Sequence, residues 1–213
     1  MISLKKSILS FFRSNFVYER LILILSLIIL FSLGVFSFRR HKLPDRYLIL
    51  GKGTSTRDSI IRYVSKYNKN ISKQMLKYII DIYIWESSCE GVNHDFAIGQ
   101  MLHETNFLKF GGEVKKSQNN FSVLGTMESV LGKAYFNSIT RGIRAHVQHM
   151  KSYASRCKLR KKCVDLRYDI VRHGSIKSVY GFSESWNLDI VFERALISQI
   201  DGILGESKAG QIR

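Results

Sequence analysis

Residues 96–125 read FAIGQMLHETNFLKFGGEVKKSQNNFSVLG, and this stretch decides how the chain folds. Its first third is helical. Phe96, Ala97, Met101 and Glu104 recur at three- and four-residue intervals and share one side of a helix, which Asn93 can cap. Its remainder breaks that pattern: Gly111, Gly112 and Gly125, with Gln118, Asn119 and Asn120, mark a loop or short hairpin that continues to about residue 133. Glu104 therefore stands in the last turn of a helix, on or beside its apolar face. Partial burial and the negative end of the helix dipole both disfavour its charge. A carboxyl so placed holds a proton near neutral pH, as a general acid must. The competing role is structural, a glutamate capping or salt-bridging near a helix end. The amide-rich loop behind it suits a polar, multivalent ligand such as a sugar.

Outward from this stretch the same spacing predicts more helices. One starts at Thr54 or Ser55, with Ile60, Ile61 and Val64 on one face. A second, capped by Asn70, carries the stripe Met75, Leu76, Ile79, Ile80 and Tyr83. A fourth spans about 141–155, with Ile143, Val147, Met150 and Ala154 inward. Another is expected over 164–173. The last runs from about 188 to 204, with Val191, Ala195, Ile200 and Leu204 inward. A single proline in 213 residues leaves such helices uninterrupted, so the fold class is mainly α. No internal repeat is visible. Residues 54–213 form one domain, large enough for a core.

The N-terminus is of another kind. Residues 21–38 (LILILSLIILFSLGVFSF) carry no charge, and 18 helical residues rise roughly 27 Å, close to the thickness of a bilayer core. A cleaved signal peptide would be shorter and end in small residues, whereas this run ends Phe36-Ser37-Phe38-Arg39-Arg40. The expected layout is a cytoplasmic N-terminus over 1–20, an uncleaved transmembrane helix over 21–38, a linker over 39–53 and the domain beyond. Four basic residues lie on either side of the run, so charge leaves its orientation open.

Lys and Arg number 33 against 17 Asp and Glu, a net charge of +16. Residues 1–46 hold eight of the basic and two of the acidic residues, so the body keeps +10. Such a body is drawn to polyanions. Nucleic acid is the least favoured of these, because the basic run 156–162 lacks interleaved aromatics and no recognised nucleic-acid-binding fold is evident. An anionic wall or lipid surface fits better, and a solvated loop is the plainer alternative. Three cysteines are too few for a disulfide scaffold. Cys157 and Cys163 can close a small loop on the oxidising side of a membrane, leaving Cys89 free behind Trp85. His146 and His149 are spaced for a metal, but no third ligand accompanies them, so a core role is expected and no metal or cofactor is assigned.

The quoted stretch also resembles the bacterial glucosaminidase family of cell-wall hydrolases, on Phe96-Ala97-Ile98-Gly99-Gln100-Met101, Glu104-Thr105, Phe107-Leu108, Phe110-Gly111-Gly112 and Gln118-Asn119-Asn120-Phe121 with Gly125. Residues 142–155 (GIRAHVQHMKSYAS) are similar to a helix of that family. Val164 to Tyr168, Arg172 to Ser175, and Trp186 with Asp189 continue the likeness in order, over about 70–204. The resemblance implies a lysozyme-like helical domain that cleaves β-1,4 bonds of peptidoglycan glycan strands, on the reducing side of N-acetylglucosamine. It implies Glu104 as general acid, and Gln118, Asn119, Asn120, Phe121, Tyr153 and Trp186 as saccharide-binding. Many relatives carry a second acid on a longer hairpin. Here Glu128 is the candidate taken, with Glu113 beside it, and each has a solvated loop charge as its alternative. Lytic transglycosylation, or an inert glycan-binding scaffold, are the competing functions. The expected place is the cytoplasmic membrane with the domain outside it, where division or secretion machinery could be a partner.

Overall fold

The computed structural model describes residues 22–28, 43–125, 134–182 and 190–211, and the chain divides into two units, 1–42 and 43–213. In the first unit residues 22–28 are helical, with their large apolar side chains exposed. Among the described residues no helix is long and apolar enough to cross a membrane. The transmembrane helix expected over 21–38 thus has only its 22–28 portion among them.

The second unit is mainly α, as its spacing predicts. Its helices are α1 (Arg57–Tyr67), α2 (Lys73–Glu90), α3 (His94–Glu104), α4 (Ile139–Ala154) and α5 (Ile190–Gln211). Short 3-10 turns cover Asp45–Tyr47, Lys116–Gln118 and Tyr168–Ile170. Helix α3 is apolar on nearly all sides: residues 95–102 are buried throughout, because α2, α4 and α5 all pack against it. Gly99 permits the closest approach, since a Cβ there would meet the Ile200 side chain of α5 at 2.9 Å. Around α3 lie Ile60 and Val64 from α1, Ile80 and Tyr83 from α2, Val147 and Met150 from α4, and Ile200 and Ile203 from α5, all nearly or wholly buried.

Several expectations change. The cap of α2 is Ser72, whose hydroxyl accepts from the Met75 N–H; the Asn70 N–H instead donates to the Asn68 side chain two residues back. The helix expected over 164–173 shrinks to the turn Tyr168–Ile170. The reason is local competition for the backbone. The Val164 N–H donates to Gln148 Oε1, and the Arg167 N–H donates to the Asp165 carboxylate, so side chains take the bonds a helix would make. The last helix continues to Gln211. Residues 111–125 contain the turn Lys116–Gln118 and no strand, and the rest of the expected hairpin lies outside the described residues.

Residues 43–53 are not a linker. Tyr47 and Ile49 enter the core, and the backbone of this strap bonds to Asn93, Lys177 and Val179. All three thiols are free; Cys157 and Cys163 are exposed, Cys89 is half-buried and Trp85 is exposed. The basic loop is tied to α2 by two buried carboxylates. Glu90 accepts from Lys151 Nζ (2.7 Å) and from the N–H groups of Arg160 and Lys161 (3.0 Å each), and Glu86 pairs with Arg144 and Lys161. Burial pushes the Glu90 carboxyl up, but those three donors outweigh it and hold it below the usual value.

Candidate functional site

The site begins where α3 is started and stopped. Asn93 caps α3 by accepting from the Asp95 N–H, while its own amide donates to the carbonyls of Arg46 and Leu48 on the strap. Asp95, buried at the first turn, accepts from the N–H groups of Thr54 and Ser55. Asn93 ties the strap, and Asp95 the two residues that follow it, to the start of α3, and so they fix the direction in which the helix delivers Glu104 eleven positions on from its cap.

Past Glu104 the chain turns the wrong way for L-residues. Asn106, Phe107 and Leu108 have φ of 49°, 57° and 61°, and Phe110 has 59°. Consecutive left-handed residues cost about 1–2 kcal/mol each. Specific bonds offset that cost. The Phe107 N–H donates to Leu102 O and the Phe110 N–H to Thr105 O, both at 2.8 Å. The Thr105 hydroxyl accepts from the Leu108 N–H and donates to Met101 O. The Phe107 ring stacks on Tyr67 with centroids 4.2 Å apart, and its carbonyl accepts from Asn68. Strain held in this way clusters at functional positions, and here it begins two residues after the acid.

Glu104 is half-buried, and burial pushes its carboxyl up to about 7. The negative charge of Glu113 raises it further, whereas the neighbouring polar side chain of Gln100 opposes both. Glu113 itself is exposed on the loop. Among the described residues, Glu113 is the second-acid candidate that acts on Glu104. Glu128 lies outside the described residues, as does Trp186.

The loop residues separate into two roles. Asn119 takes a left-handed turn (φ 48°), donates to Phe136 O, and lines an open cavity of about 920 Å³. Phe121, almost fully buried, borders the same cavity and packs edge-to-face with Tyr83 and Phe110. Lys109, Phe110 and Lys116 complete the wall nearest them. Asn120 is spent on the loop itself. It is fully buried, its carbonyl accepts from the N–H groups of Ser122 and Leu124, and its amide donates to the carbonyls of Leu124 and Ala134. Gln118 likewise accepts from the Lys115 N–H. Tyr153 sits in the core against His149 and Phe182, and burial pushes its phenol up to about 12. Among the described residues, Glu104, Gln118, Asn120 and Tyr153 do not line the cavity.

Both histidines are occupied by the protein. His149 Nδ1–H donates to Asp165 at 2.9 Å. His146, fully buried, lies 2.9 Å from the Tyr83 hydroxyl and 3.2 Å from Gln100 Oε1, and burial lowers it to about 3, so it is neutral. Two contributors had not been assigned roles from the sequence. Gln100 carries the signal of a polar residue one helical turn before Glu104 within an apolar run. Gly142 carries none, yet a Cβ there would fall 1.7 Å from the Asn119 carbonyl oxygen, so only glycine lets α4 support that turn.

No family model matches the chain, and no solved structure matches it. A protein of Borreliella burgdorferi, described only as uncharacterized, is 36% identical to it over 154 residues, which span 71% of this chain and 76% of that protein. At that identity and coverage, the chain belongs to the same family as the Borreliella burgdorferi protein.

Proposed function

We propose that this protein is a glycoside hydrolase of peptidoglycan, with a lysozyme-like helical domain and Glu104 as its general acid. The observation that carries the proposal is Glu104 itself: a half-buried carboxyl at the end of α3, raised to about 7, holds a proton at the pH where a glycosidic oxygen must receive one. Glu104 would give that proton to the leaving oxygen as the anomeric C–O bond breaks; a water molecule would then bond to the anomeric carbon and return a proton to the Glu104 carboxylate. The cavity lined by Asn119 and Phe121 offers amide bonding and an aromatic face, which suit a saccharide. The apolar run 21–38 serves in this proposal as the membrane anchor. Support comes from its uncharged sequence and from the exposure of every large apolar side chain in 22–28. Lytic transglycosylation is a second reading, favoured by the exposure of Glu113, since that reaction needs one protein acid and no carboxylate nucleophile.

The test incubates the full-length protein and its Glu104→Gln variant with purified peptidoglycan, then reduces the products with borohydride and identifies fragment ends by mass spectrometry. Reduced N-acetylglucosamine ends are expected from the unmodified protein. The variant should form them at least about 100-fold more slowly, the scale of a lost general acid. Anhydro-muramic ends would instead establish the transglycosylase. Wall binding by both proteins with no cleavage by either would refute both reactions and leave a glycan-binding scaffold.

A further inference from the structure

We infer that Lys109 and Lys116 form a carboxylate-binding subsite in the cavity walled by the turn after Glu104, that this subsite takes the acidic stem peptide of peptidoglycan, and that it directs the protein to peptide-bearing rather than bare glycan. The inference rests on the proposed function, and it names which part of that substrate the cavity holds. Two observations single the cavity out. Its volume, about 920 Å³, is that of a ligand pocket rather than a packing gap. Strain also gathers on its wall. Leu108 and Phe110 have φ of 61° and 59°, Asn119 has 48°, and all three line it. Such backbone persists only where its surroundings over-determine it, and it clusters where ligands are held.

The occupant is read from the charges. Lys109 belongs to the left-handed turn after α3, and Lys116 opens the turn Lys116–Gln118. The backbone of each is held: the Lys109 N–H donates to Asn106 O, and the Lys116 carbonyl accepts from the Asn119 N–H. Two separate turns thus bring a lysine to one cavity. No Asp or Glu lines it, and among the described residues neither lysine is in an ion pair. The rest of the wall is neutral: Ser72 and Asn119 are polar, and Met75, Ile79 and Ile139 are apolar. Two cations against no anion favour a ligand with ionised acid groups. A sugar without such groups gains nothing from them. In peptidoglycan the carboxylates are carried by short peptides attached to alternate sugars, and the alanine methyl groups of those peptides suit the apolar wall. Glu104 is not among the lining residues, so the cavity holds a part of the substrate away from the oxygen that is protonated. A peptide branching from a neighbouring sugar is such a part. Lys109 and Lys116 therefore determine specificity and do not touch the reacting bond.

The test uses the full-length protein carrying Glu104→Gln, so that ligands are bound and not cut. Calorimetric titration compares a disaccharide–peptide fragment of peptidoglycan with the same disaccharide freed of its peptide by an amidase. The peptide-bearing fragment should bind about tenfold more tightly, as two exposed charge pairs allow. Lys109→Gln together with Lys116→Gln should bring the two affinities within about twofold of each other. Both lysines are exposed, so this protein should fold. Lys158→Gln together with Lys162→Gln removes the same charge from exposed positions of the basic loop and should leave the preference intact. Failure to bind either fragment, equal affinity for both, or an equal loss of preference in the Lys158 and Lys162 variant would overturn the subsite. Displacement of the fragment by inorganic phosphate at equal concentration would overturn it too, since the cavity would then take small anions in general. Cleavage assays on the unmodified protein separate this inference from the one beneath it. Equal rates on peptide-bearing and bare strands would refute the subsite and leave the hydrolase standing. Preferential binding by a protein that cleaves neither would support the subsite and refute the hydrolase.

Discussion

At the scale of the residue, the proton on Glu104 is a statement about stability as well as chemistry. Below about pH 4.5 the carboxyl is protonated in both folded and unfolded chains, and its burial costs little. Between there and about 7 the unfolded chain releases the proton that the folded chain keeps, so stability falls as pH rises. Glu104→Gln, which cannot ionise, should therefore be the more stable protein at pH 8, by about 2 kcal/mol, with the advantage gone by pH 4. Urea denaturation at the two pH values checks this. Equal stability at both would mean that Glu104 titrates as an ordinary exposed carboxylate. In the proposed hydrolase the same proton would set an alkaline limb: kcat/KM on peptidoglycan should decline as pH rises through about 7.

At the scale of the element, the site depends on backbone approaching backbone. Helix α4 meets the loop at Gly142, where the Asn119 carbonyl occupies the space a Cβ would need. Gly142→Ala must push the 116–119 turn away or shift the start of α4, and overpacking of this kind costs about 1–3 kcal/mol. The displaced turn carries Asn119 and leads into Phe121, so any affinity for soluble glycan fragments should weaken with stability. Gly112→Ala is the control, because nothing lies within 4 Å of its added Cβ and its φ is not in the left-handed region. Chemical denaturation of the two variants should separate them clearly. The left-handed turn at 106–108 obeys the same logic, since the stacking of Phe107 on Tyr67 and the bond from Asn68 hold a conformation the residues would not choose alone.

At the scale of the domain, the strap over 43–53 belongs to the cooperative unit. The Tyr47 hydroxyl donates to Asp201 on α5, Arg46 pairs with the same carboxylate, and Ile49 is fully buried. Ile49→Ala should cost about 3 kcal/mol, as truncation in a close-packed core does. Leu43→Ala, at an exposed position, should change stability by less than about 0.5 kcal/mol. If thermal melts found both substitutions neutral, the strap would be a linker after all. Because Asn93 grips this strap and Asp95 grips the residues just after it, loosening it should also loosen the start of α3.

What the sequence alone determined was local. The helices α1, α3 and α4 were legible because caps and 3.6-residue spacing lie within one stretch of chain. The placement of Glu104 at the end of α3 followed from the same counting. The helix expected over 164–173 does not form because α4 intervenes: Gln148 accepts from the Val164 N–H, and His149 donates to the Asp165 carboxylate. Only the tertiary structure decided the rest of the site. Asn119 and Asn120 are adjacent and chemically identical, yet one faces a cavity and the other is consumed by the loop. The strap looked like a linker because its partners lie on α3, on α5 and in the 177–179 segment. Tyr83 and His146 are 63 residues apart, and His146 and Gln100 are 46 apart. No spacing within a helix encodes such pairs. They exist because α2, α3 and α4 pack around one another and bring three buried polar groups together.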